Sequence, residues 1–402
     1  MHDFSTFIAL SCPIRHYAWG ERRHGGAVPL IADLTGADAH DDTPWAELWI
    51  GAHPSASALA ITPAGDFPLL ELAAAFPDDI IGPGRQSAEL PFLLKILCCE
   101  KALSLQSHPD RHHAARLHAA HPERYPDPNP KPEILIALSP FLAMVGFRPA
   151  AAASADIRRR TALAPWHGQW PPSPSLRQLG ETLLAIPAPA LPALLDALAA
   201  EITAAPAPTP ADILGADLMR QHPHDRGALF AYLLHHLLLQ PGEALYVPPN
   251  TPHAYLRGQG IEGMTSSDNV IRAGLTTKPI DHTALLETVD FTAREPLSVL
   301  PNGAPPDYRR YQPPTPDFQI QIDIATDTTL DLTPRPPGPG LLLVLNGAVA
   351  LAAPGHPEQR ASRGSAWLCP AALAAGRIRP LTPGATIVLA RPRQNTTVPP
   401  AT

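Results

Sequence analysis

Residues 104–108 form a short segment whose side chains could bind a metal ion. In an extended strand alternate side chains share one face, so Ser104, Gln106 and His108 point to the same side. Leu105 and Ser107 then point to the opposite side. The sequence therefore predicts an amide oxygen and an imidazole that face the same space.

Two further residues complete a possible ligand set. Glu133 opens an apolar segment, where an uncompensated carboxylate is costly to bury, and His253 follows a proline-rich turn. With Gln106 and His108 they offer two neutral imidazoles, one amide and one carboxylate. Such a set would leave a divalent cation with a charge of about +1 and keep it a Lewis acid towards a hydroxycarbonyl. Spacing alone leaves open the alternative that these are buried polar residues with satisfied hydrogen bonds in a barrel.

Three basic residues lie in or beside apolar segments. Lys95 interrupts the apolar run 92–97, and a buried lysine needs an anionic partner, either a structural carboxylate or a bound phosphate. Arg272 ends another apolar stretch, and Lys131 lies two residues before Glu133. The sequence contains no glycine-rich nucleotide loop and no G-x-S-x-G motif, so nucleotide-dependent and serine-hydrolase chemistry have no support.

The composition is that of a globular, mildly acidic chain. Its 402 residues are 45% hydrophobic and 17% charged, with a formal net charge of −7, which argues against a nucleic-acid partner. We find no apolar run of membrane-spanning length and no signal-peptide pattern. The four cysteines form no C-x-x-C pair, and Cys98 and Cys99 continue an apolar run as expected for buried thiols. These features predict a cytoplasmic protein without a membrane partner.

The 52 prolines shorten helices and favour β structure joined by loops. Before residue 150, hydrophobic periodicity predicts strands over 91–97, 102–108 and 133–138 and helices over 68–76 (with Asp66 as a possible cap) and 110–121. The composition then changes, and the pattern predicts an insertion with helices over 175–186, 190–202 and 211–220.

Strand signals return after the insertion. The predicted strands cover 244–247, 253–256, 318–324 and 385–390. Residues 341–345 and 348–352 flank Asn346-Gly347, which predicts a hairpin. The element order is therefore β, then α, then β.

Over nearly its whole length the sequence closely resembles type I mannose-6-phosphate isomerases. The similarity is concentrated in separated blocks, which are 17–20 (YAWG), 46–54 (AELWIGAHP), 90–95 (LPFLLK), 101–110 (KALSLQSHPD), 131–133 (KPE), 146–149 (GFRP), 241–256 (PGEALYVPPNTPHAYL) and 266–278 (SSDNVIRAGLTTK). So many blocks in one chain make a chance similarity very unlikely.

This resemblance implies a mainly β protein of the cupin fold, made of jelly-roll β-barrels with an α-helical insertion in the catalytic part. It divides the chain into a first part of the catalytic cupin domain, the helical insertion, a second part of the catalytic domain and a C-terminal cupin-like β domain, at 1–150, 151–228, 229–300 and 301–402. A monomer is expected.

The resemblance also implies a cofactor and residue roles. In the family one zinc ion is bound by the residues that match Gln106, His108, Glu133 and His253. Arg272 matches the catalytic arginine, while Glu262 and Lys131 match residues near the reacting carbons. The positions expected to bind the substrate are Lys95, Ser104, Glu47 and Lys278. Gly263 and Thr265 replace commoner residue types of the family, which bears on substrate tolerance rather than on the metal site.

The implied reaction interconverts mannose 6-phosphate and fructose 6-phosphate by moving a proton between C1 and C2 through an enediol. Zinc and Arg272 would stabilise the negative charge that develops on oxygen. Glu262 is the preferred acid–base group and Lys131 is the alternative. An arginine base is disfavoured because its pKa lies above ~12.

Two other functions stay open on the sequence. Two histidines and a carboxylate also form the facial triad of iron oxygenases, although Gln106 fills a further position. A cupin could also bind a sugar phosphate without catalysis, but a mere binder does not need proton-transfer groups such as Lys131 and Glu262.

Overall fold

The computed structural model describes residues 3–39, 42–83, 90–168, 170–301, 307–313, 320–332 and 338–393. Its strands are β1 Ile8–Ser11, β2 Ile14–Arg15, β3 Glu47–Ile50, β4 Ala52–His53, β5 Ala56–Ser57, β6 Leu59–Thr62, β7 Gly65–Pro68, β8 Phe92–Cys99, β9 Leu105–Ser107, β10 Glu133–Ala137, β11 Phe141–Phe147, β12 Leu234–Leu239, β13 Ala244–Val247, β14 His253–Thr265, β15 Ile271–Gly274, β16 Leu297–Ser298, β17 Tyr308–Tyr311, β18 Ile320–Thr326, β19 Leu330–Asp331, β20 Gly340–Asn346, β21 Ala348–Ala352, β22 Gln359–Ser362, β23 Ala366–Cys369, β24 Arg377–Pro380 and β25 Thr386–Pro392. Its α-helices are α1 Leu30–Thr35, α2 Leu69–Ala75, α3 Pro77–Ile80, α4 Arg111–Ala120, α5 Ala150–Arg158, α6 Ala164–His167, α7 Leu176–Ala185, α8 Leu191–Ala204, α9 Pro210–Gln221 and α10 His282–Thr288.

The predicted mainly β architecture with a helical insertion is confirmed. One large sheet contains the strands that carry the predicted metal ligands, β9, β10 and β14, and a second sheet has the order β17-β18-β25-β20-β23-β1-β6-β7. A smaller sheet, β19-β24-β21-β22, packs with the second sheet around an apolar cluster. Helices α5 to α9 lie between β11 and β12 in sequence and bury their apolar faces in a separate cluster.

The second sheet is completed by strands from the beginning of the chain. β1 pairs with β23 through Ala9 and Trp367, and on its other edge it pairs with β6. The shared sheet buries Ile8, Leu341 and Leu368 in one apolar cluster. The proposed boundaries at residues 150 and 301 therefore divide the sequence, but this sheet contains strands from before residue 150 and from after residue 301.

Three local expectations are wrong. β20 and β21 do not pair with each other, because β20 lies between β23 and β25 whereas β21 lies between β22 and β24. Gly347, with φ of 69°, instead makes a corner that leads the chain from one sheet to the other. Asp66 does not cap α2, whose N-cap is Pro68 without a side-chain hydrogen bond. The strand expected over 102–108 is reduced to β9.

The alternating strand near residue 320 buries both of its faces. β18 begins at Ile320, and residues 318 and 319 of the predicted strand lie outside the described residues. Asp323 is 0% exposed because ion pairs with Arg310 and Arg391 compensate its charge. The polar positions of this alternation are therefore inside the structure rather than at its surface.

The described residues contain no single helix that is long and apolar enough to cross a membrane, although α7 followed by residues 188–204 passes the length and composition test as a pair bent by 81°. All four cysteines are free, and Cys98 and Cys99 are buried, as predicted.

The helical insertion contains a buried ion pair whose loss should destabilise the protein. Asp212 is 0% exposed, pairs with Arg160 and accepts a hydrogen bond from the Tyr232 hydroxyl. Asp212→Ala should lower the free energy of unfolding by about 3–5 kcal/mol, because it leaves the Arg160 guanidinium buried without this partner. Urea unfolding measures this change. Asp196→Ala, at a side chain that is 78% exposed, is the control and should cost less than about 0.5 kcal/mol; equal losses in both variants would contradict the expectation.

Candidate metal centre and active site

Three of the four predicted metal ligands form a buried cluster. The ligand atoms of His108, Glu133 and His253 all lie within 4.8 Å of one another. His108 Nε2 is 3.3 Å from Glu133 Oε2, and His253 Nε2 is 3.1 Å from Glu133 Oε1. Gln106, the fourth, places its Nε2 atom 3.4 Å from His253 Nε2 and accepts a hydrogen bond from Ser104 Oγ through Oε1. The structure therefore brings the whole predicted set together.

Strand register explains why Glu133 lies on the same face of the sheet as Lys95 and Glu262. On neighbouring strands, Lys95 of β8 lies opposite Trp49 of β3 and Glu262 of β14. Glu262 in turn lies opposite Leu135 of β10. Glu133 is two residues before Leu135, so its side chain points to the same side of the sheet.

His253 and Glu262 lie nine residues apart on β14, which in a regular strand would place them on opposite faces. The register with β11 shifts between Leu142 and Ala143, and one extra residue of β14 lies opposite that step. This β-bulge restores a common face for both side chains. Gly258 follows the bulge with φ of 134°, and a Cβ there would lie 2.8 Å from Phe141 Cα.

Backbone carbonyls fix the orientation of both imidazoles. His108 Nδ1 lies 2.8 Å from the Asn269 carbonyl, and His253 Nδ1 lies 2.9 Å from the Thr251 carbonyl. A carbonyl only accepts, so each Nδ1 carries the hydrogen and each Nε2 presents a lone pair to the cluster. Glu133 Oε1 accepts a hydrogen bond from the Tyr255 hydroxyl at 2.9 Å.

The donor set fits a metal ion. Glu133 is 0% exposed, and its Oε2 atom has no hydrogen-bond partner in the described part of the chain. Burial, assisted by the nearby Lys131 ammonium, lowers the pKa of His108 to about 4, so its ring is neutral at physiological pH. Burial alone would raise the pKa of Glu133, but the largest opposing effect is the positive charge of Lys131, and the pKa stays well below the usual range. The neutral ring of His108, the imidazole of His253 and an ionised carboxylate suit Zn²⁺.

Beside the cluster, Lys95 finds the anionic partner that the sequence required. Its Nζ is 3.0 Å from Glu262 Oε2 and 3.9 Å from Glu47 Oε1, and it lies over the Trp49 ring. Burial alone would lower the pKa of Lys95, but the two carboxylates outweigh it and raise the pKa. Burial, with help from the Glu133 charge, raises the pKa of Glu262 against the opposing effect of Lys95. Lys95 is therefore ionised and Glu262 is easier to protonate than an ordinary glutamate.

The remaining predicted residues differ in their burial and in their contacts. The Arg272 backbone pairs with Gln106 between β15 and β9, and burial lowers the pKa of its guanidinium. Lys278 is exposed and places its Nζ 4.9 Å from the centre of the Tyr17 ring. Lys131 Nζ lies 3.5 Å from Glu133 Oε2 and 3.4 Å from His108 Nε2, directly beside the metal cluster.

Sequence reasoning missed a contact between a buried histidine and an aspartate. His53 is 2% exposed, and its Nε2 atom lies 3.6 Å from Asp268 Oδ1. Burial lowers the pKa of His53, against the effect of Asp268. Both residues lie inside blocks 46–54 and 266–278, so their membership of these blocks was the signal that could have found them.

Comparisons with known proteins agree with this geometry. Residues 7–150 match the family model "Phosphomannose isomerase type I, catalytic domain". The chain is 33% identical over 398 residues to the probable mannose-6-phosphate isomerase of Echinococcus multilocularis, covering 87% of this chain and 90% of that one. It is 32% identical over 374 residues to the Homo sapiens mannose-6-phosphate isomerase, covering 86% and 88%.

Solved structures give the same result. An alanine variant of phosphomannose isomerase from Salmonella typhimurium superposes with a TM-score of 0.82 at 25% identity, covering 97% of this chain and 100% of that one. A zinc-bound mannose 6-phosphate isomerase superposes equally well, with a TM-score of 0.82, 25% identity and the same coverage. The expected cupin fold is therefore confirmed, and the chain belongs to the type I phosphomannose isomerase family of enzymes.

Proposed function

We propose that this chain interconverts mannose 6-phosphate and fructose 6-phosphate with one zinc ion per chain. The observation that carries the proposal is the buried cluster of His108, Glu133 and His253, in which both imidazoles turn Nε2 towards a carboxylate. Gln106 would complete the ligand set through its amide oxygen, after a rotation of the amide group that now directs Nε2 towards His253. When bound there, zinc supplies Lewis-acid stabilisation of the charge that develops on the substrate oxygens.

Glu262 is the proposed proton-transfer group. It lies on the same face of the sheet as Glu133, and its carboxylate accepts a hydrogen bond from Lys95, which orients it. A base and its conjugate acid work best when the pKa lies near the working pH, and burial shifts the pKa of Glu262 in that direction. Lys131 lies beside the metal ligands, where its ammonium group would stabilise the enediolate.

Two cationic side chains, Arg272 and Lys278, are proposed to act on the substrate in different ways. Among the described residues, neither Arg272 nor Lys278 forms an ion pair with a carboxylate, whereas Lys95 is paired with Glu262 and Glu47. A phosphate would therefore find unpaired positive charge at Lys278, whereas Arg272, whose backbone pairs with Gln106, would stabilise the negative charge of the enediolate. Ser104 adds a hydroxyl beside Gln106. The substrate would then enter with its phosphate outermost and its reacting carbons towards Glu262.

The same proposal includes a monomer that works in the cytoplasm. Four free cysteines are typical of a reducing compartment. Light scattering of the purified protein would give a mass near 42.9 kDa for a monomer, and twice that mass would replace this part of the proposal by a dimer.

The test of function is a coupled assay that follows the conversion of mannose 6-phosphate to fructose 6-phosphate before chelation, after chelation and after zinc is restored. We expect turnover that the chelator removes and zinc recovers. Folded, zinc-replete protein without turnover would instead support a cupin that binds sugar phosphates without catalysis.

The pH dependence of kcat should report Glu262. A general base must be ionised, so kcat falls when the pH drops below the pKa of that group in the complex. Because burial raises the pKa of Glu262, this acid limb should lie above the usual range of a glutamate. Glu262→Gln should remove the limb together with most of the turnover. An unchanged acid limb in the residual activity of that variant would assign it to another group.

A further inference from the structure

We propose that Asp127 is a positioning residue for the metal centre, because it holds the segment that orients His108. This inference rests on the zinc site of the proposed function. Asp127 is half-buried, and no metal ligand is among its contacts in the described structure. It would act through Asn269.

The first link is the Asn269 carbonyl. This atom lies 2.8 Å from His108 Nδ1 and sets which ring nitrogen faces Glu133. Asn269 is 0% exposed but lies outside the strands, between β14 and β15. No strand pairing therefore holds this carbonyl in place, and side-chain hydrogen bonds must do so.

Asp127 supplies those hydrogen bonds. Its carboxylate accepts from three consecutive residues, which are Ser267 through Oγ at 2.9 Å, Asp268 through its backbone N–H at 2.9 Å and Asn269 through Nδ2 at 3.1 Å. Asn269 Nδ2 also donates to the Asp127 carbonyl at 2.6 Å. One carboxylate thus ties residues 267–269 to the segment that leads into Glu133.

This arrangement couples two parts of the metal site. Residue 127 lies six positions before Glu133, while residues 267–269 follow β14, which begins with His253. The same contacts also hold Asp268, the partner of His53. Loss of the Asp127 carboxylate should loosen the Asn269 carbonyl, although Asn269 Nδ2 keeps its bonds to the Asp127 and Asn129 carbonyls. The His108 ring could then adopt either tautomer.

The test is the zinc dissociation constant of Asp127→Asn, measured by competition with a chromogenic chelator. The amide keeps the shape but replaces one acceptor by a donor that faces the N–H of Asp268. We expect zinc affinity to fall about 10-fold or more, the range seen when outer-shell partners of metal ligands are lost. Asp331→Asn, which breaks a surface ion pair with Arg377, is the matched control and should bind zinc as the unmodified chain does.

A second readout separates positioning from general destabilisation. In metal-free protein labelled with ¹⁵N-histidine, His108 should show protonated Nδ1 in the unmodified chain and mixed tautomers in Asp127→Asn, with the signal assigned by its loss in His108→Gln. If Asp127→Asn does not fold, Ser267→Ala removes one of the three bonds and should weaken zinc binding a few-fold. Zinc affinity and tautomer unchanged in a folded variant would overturn the inference, whereas an unmodified chain that binds no zinc would overturn the proposed metal site itself.

Discussion

Replacing Arg272 with methionine should lower kcat by about 10²–10³-fold while the zinc content stays the same. Loss of one preorganised charge donor at a developing oxyanion costs about this much. Arg272 suits this role because its strand pairs directly with Gln106 and its guanidinium has no carboxylate partner among the described residues. Burial lowers its pKa, but an arginine still remains charged at neutral pH.

Steady-state kinetics and metal analysis of the same preparation measure both effects. Arg116→Met is the matched control, because Arg116 is 48% exposed on α4 and, within the described ranges, forms an ion pair with Glu287 alone. It should leave kcat and zinc unchanged. Full turnover in Arg272→Met would show that the charge is stabilised elsewhere, and a loss confined to KM would assign Arg272 to phosphate binding alone.

Two simple rules indicate three of the four proposed metal ligands from the sequence. Alternation in β9 puts Gln106 and His108 on one side, and a carboxylate at the start of an apolar strand demands a partner. Lys95 follows the same rule, and the structure gives it Glu262 and Glu47. These constraints are local in the sequence, so they can be applied without knowledge of the fold.

Other features depend on contacts between distant residues and could not be predicted. The bulge that brings Glu262 to the same face as His253 appears only in the register between β14 and β11. The Asn346-Gly347 pair has the local preference for a hairpin turn. The flanking strands instead pair with other strands in two separate sheets, β20 with β25 and β21 with β22, so tertiary pairing outweighs the turn preference. The His53–Asp268 pair joins residues that are far apart in sequence, so spacing alone does not reveal it, although both residues lie in blocks that resemble the family.

Replacing each of two buried carboxylates, Glu133 and Glu262, by an amide should remove different properties, zinc binding in the first case and turnover alone in the second. Glu133→Gln removes the one negative charge among the proposed ligands, so zinc affinity should fall by more than about 100-fold, beyond the loss that an outer-shell partner causes. Turnover should disappear with the metal. Lys131 and the Tyr255 hydroxyl would also lose a charged partner, since both contact Glu133 now.

Glu262→Gln is the matched comparison, because Glu262 is 4% exposed on the same face of the same sheet but lies outside the ligand cluster. It should keep zinc at one ion per chain and lose turnover only. Both variants are measured in the same way. Metal analysis after dialysis and chelator competition report metal ligation, and the coupled assay reports proton transfer. Circular dichroism confirms that each variant is folded. If Glu133→Gln keeps its zinc, the ion is held by other residues and the buried cluster is structural. If Glu262→Gln keeps its turnover, another group moves the proton. Lys131 is then the first alternative, because its Nζ atom lies 3.5 Å from the carboxylate of Glu133.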